Sequence, residues 1–311
     1  MKKTLVFIDG SVGTTGLRIY ERLAAREDIT LLSLPEERRK DPAARREAIG
    51  EADVAFLCLP DDAARESVAL AEGTDTVLID TSTAHRTDPR FAYGFPELAG
   101  RREAIAASRR IANPGCHASG FLALVTPLVK AGLIARDARL SAFSLTGYSG
   151  GGKKMIAEYE GGELPLYYDA PRAYGLTQKH KHLPEMMAVA GLEHAPVFVP
   201  VVAPYYAGME VSVPLHAADI KGTADDVRAC LAAAYPAGGM VRYDEGSEEG
   251  FLSASLMAGR DDMLVTLTGN DERLLLVSRF DNLGKGASGA AIQNMNIVLG
   301  LAEDTGLTKG N

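Results

Sequence analysis

Cysteine is scarce in this 311-residue chain, which has only Cys58, Cys116 and Cys230. Three such scattered residues build neither a disulfide framework nor a zinc knuckle, so a reducing compartment is expected. Positive charge is not in excess either, since the formal net charge is −8. Nucleic acids and anionic membranes both require a basic face, so neither is an expected partner. No apolar run is long enough to span a bilayer. Near the N-terminus the apolar stretch covers only Leu5 to Ile8 before Asp9-Gly10, too short for a signal-peptide core. The expectation is a soluble cytoplasmic protein. With 46% hydrophobic and 24% charged residues, a chain of this length can form two domains around large cores.

What is present centres on Asn113-Pro114-Gly115-Cys116-His117-Ala118-Ser119-Gly120. The strand-like Arg110-Ile111-Ala112 leads in, and Phe121, Leu122, Val125, Leu128 and Val129 lead out at helical spacing. Asn113 is a residue type that caps helices, Pro114 suits a first turn, and Gly115 permits a tight one. Cys116 is thereby expected in the first turn of a helix. Unpaired N–H groups and the helix dipole there favour a thiolate, the nucleophilic form of cysteine. A buried cysteine that happens to begin a helix is the alternative.

The first third reads as a dinucleotide site. Thr4 to Ile8 forms a strand, then come Gly10, Ser11, Gly13, Thr14, Thr15 and Gly16, and then a helix with Leu17, Tyr20, Leu23 and Ala24 on one face. Strand, glycine loop, helix is the context in which glycines let a backbone approach a pyrophosphate. The spacing Gly-x-x-Gly-x-x-Gly is one residue longer than the strict fingerprint between its first two glycines, and a plain strand-to-helix turn is the alternative. The next strand, Ile29 to Leu34, ends at Ser33 and Leu34 rather than at an acid, with Arg38, Arg39 and Lys40 close behind. A hydroxyl with cations suits a 2′-phosphate, so NADP(H) is expected over NAD; a solvated basic helix face would look the same. Val54–Leu59, followed by a helix and then by Val77–Asp80, completes a pattern of apolar strands alternating with helices, which implies a parallel, doubly wound sheet. Cys58 is expected mid-strand in the core. The polar loop Thr81–Arg86 sits where such sheets bind ligands.

Beyond the cysteine helix the pattern changes. Strand-like runs at Leu140–Leu145, Pro196–Ala203, Met209–Leu215, Met263–Thr268 and Leu274–Arg279 imply a mostly antiparallel sheet in an α+β domain. A hairpin turn is expected at Gly269–Glu272, and a helix from Ala224 to Tyr235 opens on Thr223 and Asp226 in a capping-box arrangement. Cys230 falls within that helix and is expected to be structural. The glycine-rich stretch Thr146–Lys154 has the hydroxyls and cations to cradle a phosphate, although its spacing is not that of a P-loop. His180-Lys181-His182-Leu183-Pro184-Glu185 places two histidines at i, i+2, unsuited to one metal on a helix face, and no metal is expected. Paired with an activated cysteine, one of them becomes a candidate general base. His85, His117, His194 and His216 have no comparable setting in the sequence, although His117 adjoins the nucleophile and is placed to add charge there. Asp281 to Ser288 forms an amide-bearing loop before a final helix; its Asn282, Gly284 and Lys285 are candidates for closing over a nicotinamide.

Taken together, Gly10–Gly16, Asn113–Gly120, His180–Glu185 and Asp281–Asn296 give the chain a resemblance to the N-acetyl-gamma-glutamyl-phosphate reductases of arginine biosynthesis, in their shorter variety. The aspartate-semialdehyde dehydrogenases, which share architecture and cysteine chemistry, are the alternative. The resemblance implies an α/β Rossmann NADP-binding domain over residues 1–115 and 287–311, and an α+β catalytic and dimerisation domain over 116–286. It further implies reductive dephosphorylation of an acyl phosphate through a thioester on Cys116. His180 would be the acid/base, His182 and Glu185 would orient it or grip the substrate, and Ser82, Arg86, Asn113, Ser149, Gly150 and Lys153 would be candidate contacts to substrate or phosphate. Implied partners are a small-molecule substrate, phosphate and further copies of the chain, as a dimer or tetramer.

Overall fold

The structure is a computed structural model that describes residues 3–162 and 164–310. The chain forms two compact units, one of Met1–Pro96, Gly100–Pro114 and Ala287–Leu307, the other of Glu97–Ala99, Gly115–Gly286 and Thr308–Asn311.

In the first unit, strands β1 (Thr4–Asp9), β2 (Ile29–Leu32), β3 (Val54–Leu57), β4 (Val77–Asp80), β5 (Ala92–Tyr93) and β6 (Arg110–Ala112) pair in the order β2-β1-β3-β4-β6-β5, every pair parallel. Helices α1 (Thr14–Ala24), α2 (Pro42–Glu51), α3 (Asp61–Leu70) and α4 (Arg101–Ala106) connect them. Successive side chains of a strand point to opposite faces. Val6 and Ile8 therefore join Ile19 and Leu23 of α1 in one core, while Phe7 joins Ala48 and Ile49 of α2 in another. Both faces are covered, which is why the strands read as unbroken apolar runs. The strand order reverses between β1 and β3, and open parallel sheets bind ligands at that point, beyond the carboxyl ends of the strands. β2 stops at Leu32, short of the expected Leu34, which leaves Ser33 outside the ladder.

The second unit opens with α5 (Cys116–Lys130), apolar around nearly its whole circumference and buried from His117 to Thr126. Its sheet comprises β7 (Ser141–Gly147), β8 (Arg172–Ala173), β9 (Val197–Ala203), β10 (Met209–His216), β11 (Val241–Tyr243), β12 (Met263–Gly269) and β13 (Arg273–Phe280). The order is β11-β12-β13-β10-β7-β9-β8. Four pairs are antiparallel, and β7/β9 and β11/β12 are parallel. The parallel β7/β9 pair needs a long crossover, supplied by the segment holding α6 (Gly152–Glu160) and α7 (Leu183–Ala190). α5 packs on β10, β13, α7 and α8 (Ala224–Ala234). The expected capping box of α8 is present, with Thr223 Oγ1 accepting from the Asp226 N–H and the Asp226 carboxylate accepting from the Thr223 N–H. The opposite sheet surface leaves Phe143, Val197 and Val199 exposed. The chain ends the sheet at Phe280, makes a π-type turn over Gly284–Ser288 and returns to the first unit as α9 (Gly289–Val298).

Candidate active site

The glycine loop of the first unit begins on a pinned residue. Asp9, last in β1 and buried, accepts through Oδ2 from Arg45 Nε and Nη2, each at 3.1 Å, and from Ser67 Oγ at 2.7 Å. Gly10 follows at φ +91°, and a Cβ there would stand 2.3 Å from the Cys58 carbonyl oxygen. A Cβ on Gly16 would stand 2.4 Å from the Gly10 oxygen, so only glycine closes this turn. Gly13 caps α1, whose first turn carries no acid, and Thr14 Oγ1 is buried without a hydrogen-bond partner. Ser11 and Thr15 are half-buried on either side. A helix N-terminus free of negative charge, with an unspent buried hydroxyl, fits a dinucleotide pyrophosphate. Ser33 and Arg38 are exposed beyond β2, and Arg38 lies 3.7 Å from Asp41 and 3.8 Å from Glu47. Such surface pairs hold a side chain by about 0–1 kcal/mol, so a phosphate competes with them readily. Cys58 lies just past the end of β3 and is half-buried, rather than sitting mid-strand in the core. Desolvation pushes its thiol up to about 12, away from reactivity.

The loop after β4 is laced by Asp80, whose carboxylate accepts from the Ser82 N–H at 2.9 Å and from Ser82 Oγ at 2.8 Å, and stands 2.6 Å from His85 Nδ1. Phe91 stacks on His85 with ring centroids 4.3 Å apart. Arg86 donates from Nε to the Asn113 carbonyl and from Nη2 to the Thr81 carbonyl. Asn113 in turn donates its N–H to the Asp80 carbonyl at 2.7 Å and its Nδ2 to the Ala287 carbonyl at 3.0 Å. Sequence reading passes over His85, because a polar histidine in a loop becomes informative only once Asp80 is known to face it.

Cys116 is the first residue of α5, as expected, but the cap is Gly115, with Asn113 and Pro114 before it outside the helix. Asn113 cannot cap because its side chain is spent on the Ala287 carbonyl and on Asn294. Glu185, buried in the first turn of α7, accepts the Gly115 N–H at 2.8 Å and so fixes the residue before Cys116. A Cβ on Gly286 would meet the Cys116 Cβ at 2.9 Å, which puts the end of the Asp281–Gly286 loop against the cysteine.

Four rings cluster beside this turn. His180 stands edge-on to His117 at 5.3 Å, to His182 at 4.7 Å and to Phe198 at 5.2 Å between centroids. His180 Nδ1 accepts the His182 N–H at 3.2 Å, so the neutral ring carries its proton on Nε2. His117 does not add charge. Burial first, then the fields of His180 and Lys181, depress its pKa to about 3. Ser149 is buried and accepts from Asn282 Nδ2 at 3.0 Å, while Asn282 Oδ1 accepts the Gly208 N–H at 2.9 Å. Gly150 adjoins the same amide, and Lys153 is exposed on α6. Gly284 donates its N–H to Asp281 Oδ1, and Lys285 is buried with Nζ 2.6 Å from Glu97 Oε1. The structure thus gathers Cys116, His180, His182, Glu185, Ser149 and Asn282 in the second unit, and keeps Gly10–Gly16, Ser33, Arg38, Ser82, Arg86 and Asn113 in the first. Among the described residues, no three or more His, Cys, Asp or Glu side chains are arranged to hold a metal ion.

Comparison with known proteins decides the family. Residues 116–282 match the family model described as semialdehyde dehydrogenase, dimerisation domain, and residues 27–108 match semialdehyde dehydrogenase, NAD binding domain. N-acetyl-gamma-glutamyl-phosphate reductases from Brucella ovis and Brucella canis are each 45% identical over 308 residues, spanning 96% of this chain and 99% of theirs. The chain belongs to the N-acetyl-gamma-glutamyl-phosphate reductase family. The fold of this reductase family is shared more widely. Aspartate semialdehyde dehydrogenase II from Vibrio cholerae, solved in complex with ASA, superposes with a TM-score of 0.71 at 18% identity, over 96% of this chain and 99% of that one. The Candida albicans aspartate semialdehyde dehydrogenase solved with NADP gives 0.66 at 15% identity, over 96% and 99%. Among the described residues no helix is long and apolar enough to cross a membrane.

Proposed function

We propose that the chain reduces N-acetyl-L-glutamyl 5-phosphate to N-acetyl-L-glutamate 5-semialdehyde, with NADPH as reductant, in the cytoplasm. The observation that carries this is Cys116 opening α5 on a capping glycine tied to Glu185, within a family whose members bear that name. The unpaired N–H groups and positive dipole end favour the Cys116 thiolate. The thiolate attacks the acyl carbon, the phosphate leaves with the electrons of the broken C–O bond, and a thioester remains, dividing one hard displacement into two easier steps. His180 takes up the thiol proton on the ring nitrogen that carries no hydrogen and returns a proton when the aldehyde departs. When bound, the dinucleotide supplies the reducing equivalent for the acyl group. Gly10–Gly16 hold its pyrophosphate, and Ser33 and Arg38 select the 2′-phosphate. Ser149, Gly150, Lys153, Ser82 and Arg86 hold phosphate or carboxylate. Asn282 keeps the Ser149 loop in shape through its amide. In this reading residues 1–115 and 287–311 bind the cofactor, and residues 116–286 carry catalysis and self-association.

Self-association uses the open sheet surface. Phe143 and Val199 are register partners on the paired strands β7 and β9, exposed by 42% and 38%, with Val197 beside them at 57%. A second copy is the occupant that the dimerisation-domain match points to. Phe143→Asp is expected to shift the chain to monomers in sedimentation or light scattering, because a charge buried at the middle of that face goes unpaired.

The activity is tested by mixing the protein with N-acetylglutamate 5-semialdehyde, phosphate and NADP and following NADPH absorbance. Phosphate-dependent NADPH formation with the N-acetyl compound, and not with aspartate semialdehyde, is the expected result. Activity with aspartate semialdehyde alone would move the chain's substrate to that of its structural neighbours.

A further inference from the structure

One guanidinium of the second unit has no part in the steps above, and the sheet register places it beside Cys116. His117, next in the chain to Cys116, lies over the sheet with Nδ1 2.7 Å from Ser144 Oγ of β7 and Nε2 2.6 Å from the hydroxyl of Tyr174, just after β8. Ser144 is the register partner of Pro200 on β9, and the Tyr174 N–H donates to the Pro200 carbonyl at 2.9 Å, so the three stand in one row across the sheet. Two residues further along lies the row of Thr146, Val202 and Arg172. A step of two residues returns a side chain to the same face, about 7 Å along the strand. Arg172 therefore rises from the face that carries His117, one row beyond its partners. The loop after β7 lies over the same row, since a Cβ on Gly150 would stand 3.4 Å from Asn282 Nδ2 and 3.7 Å from Thr146 Oγ1.

The surroundings of Arg172 are aromatic rather than acidic. Nη2 donates to the Tyr159 hydroxyl at 2.8 Å, and the guanidinium carbon lies 3.5 Å from the Tyr168 ring centroid and 5.3 Å from that of Tyr159. Tyr159 stacks in turn on Tyr148, directly before Ser149, with centroids 4.5 Å apart. Arg45, Arg242, Arg260 and Arg279 each face a carboxylate. Among the described residues no carboxylate pairs with Arg172, and the groups that act on it are tyrosines. A guanidinium laid flat on a ring keeps its N–H edge for a planar anion, which it can hold through two parallel hydrogen bonds. Nε is buried, so that edge is formed by Nη1 and Nη2. We infer that Arg172 binds the α-carboxylate of the acyl substrate. The substrate proposed above carries two anionic groups. The phosphate leaves from the carbon that Cys116 attacks, whereas the carboxylate stays at the far end of the glutamyl chain. Arg172 stands on β8, the edge strand, outside the row that holds His117, and so meets the far end rather than the reacting one. The inference rests on the reaction proposed above.

The test compares kcat/KM in the phosphate-dependent oxidation by NADP of two aldehydes, N-acetylglutamate 5-semialdehyde and 4-acetamidobutanal, which is the same molecule without its carboxylate. Arg172→Met is expected to lower kcat/KM by about 10²-fold for the first and by no more than about twofold for the second, with KM for phosphate and for NADP unchanged. Arg172→Lys keeps the charge but not the planar fork and should recover part of the loss. Tyr159→Phe removes the hydroxyl that holds Nη2 and keeps the ring. It should cost several-fold with the carboxylate-bearing aldehyde alone, so the comparison answers even where Arg172→Met folds poorly. Equal losses on the two aldehydes, or no loss on either, would overturn the inference, and so would a raised KM for phosphate in place of the aldehyde effect. A wild-type enzyme inactive with N-acetylglutamate 5-semialdehyde would overturn the reaction itself, and the inference with it.

Discussion

Cys116→Ser is expected to cut turnover by at least about 10⁴-fold while NADPH binding is unchanged, as measured by steady-state assay and by fluorescence titration of the cofactor. The size follows from what serine lacks. At the start of α5 the helix field and its N–H groups favour a thiolate, whereas a hydroxyl in the same place stays protonated. No acyl-enzyme then forms, and the reduction has no thioester to act on. The sparing of NADPH binding follows from the chain's layout, because the glycine loop and Cys116 belong to different units. The substitution exchanges one sulfur atom for oxygen at a half-buried position, so folding changes little. A variant with more than about a tenth of wild-type activity would exclude covalent catalysis by Cys116.

The second large effect is on stability. Asp9→Ala is expected to destabilise the first unit by about 3–5 kcal/mol, because it leaves a buried guanidinium without its main partner. Arg45 and Asp9 are 5% and 4% exposed, and Ser67 is fully buried beside them. Glu66 remains on Arg45 Nη1 at 2.9 Å, but its side chain is about half exposed and replaces little of the lost field. Asp9 also ends β1 directly before Gly10, so the same change should loosen the Gly10–Gly16 turn and, if that turn holds the pyrophosphate as proposed, raise the dissociation constant for NADPH. Urea unfolding of the apo and NADPH-bound variants measures both effects. A loss below about 1 kcal/mol would mean that solvent reaches Arg45 and that the network does not fix the loop.

Where neighbours in sequence decide the outcome, the sequence was readable. The strand–glycine–helix order around Gly10–Gly16, the capping box at Thr223 and the apolar seam of α5 are all set within a few residues, and each appears; the face that α1 buries, however, runs through Gly16, Ile19 and Leu23 and leaves Leu17, Tyr20 and Ala24 exposed, against the expected face. What stayed hidden depends on partners far away along the chain. The cap before Cys116 is Gly115 rather than Asn113 because Asn113 is claimed by Ala287 and Asn294, more than 170 residues on. Glu185 reaches Gly115 across 70 positions. His117 resembles a charged neighbour of the nucleophile until Ser144 and Tyr174 are brought to its two nitrogens, and nothing local in the sequence marks either of them. Asp9, Arg45 and Ser67 likewise form one network from three elements that periodicity treats one at a time. Local patterns therefore placed Cys116 at the head of a helix and Gly10–Gly16 in a strand-to-helix turn, while the polar residues that hold them required the fold.

The most direct measurement of the acyl-enzyme is a rapid-mixing experiment with N-acetylglutamate 5-semialdehyde and NADP in the absence of phosphate. A thioester on Cys116 should give a burst of one NADPH per subunit and then a halt, with the acyl group found on the Cys116 peptide and turnover resuming when phosphate is added. NADPH formation with no burst, or a burst that leaves the Cys116 peptide unmodified, would contradict the mechanism.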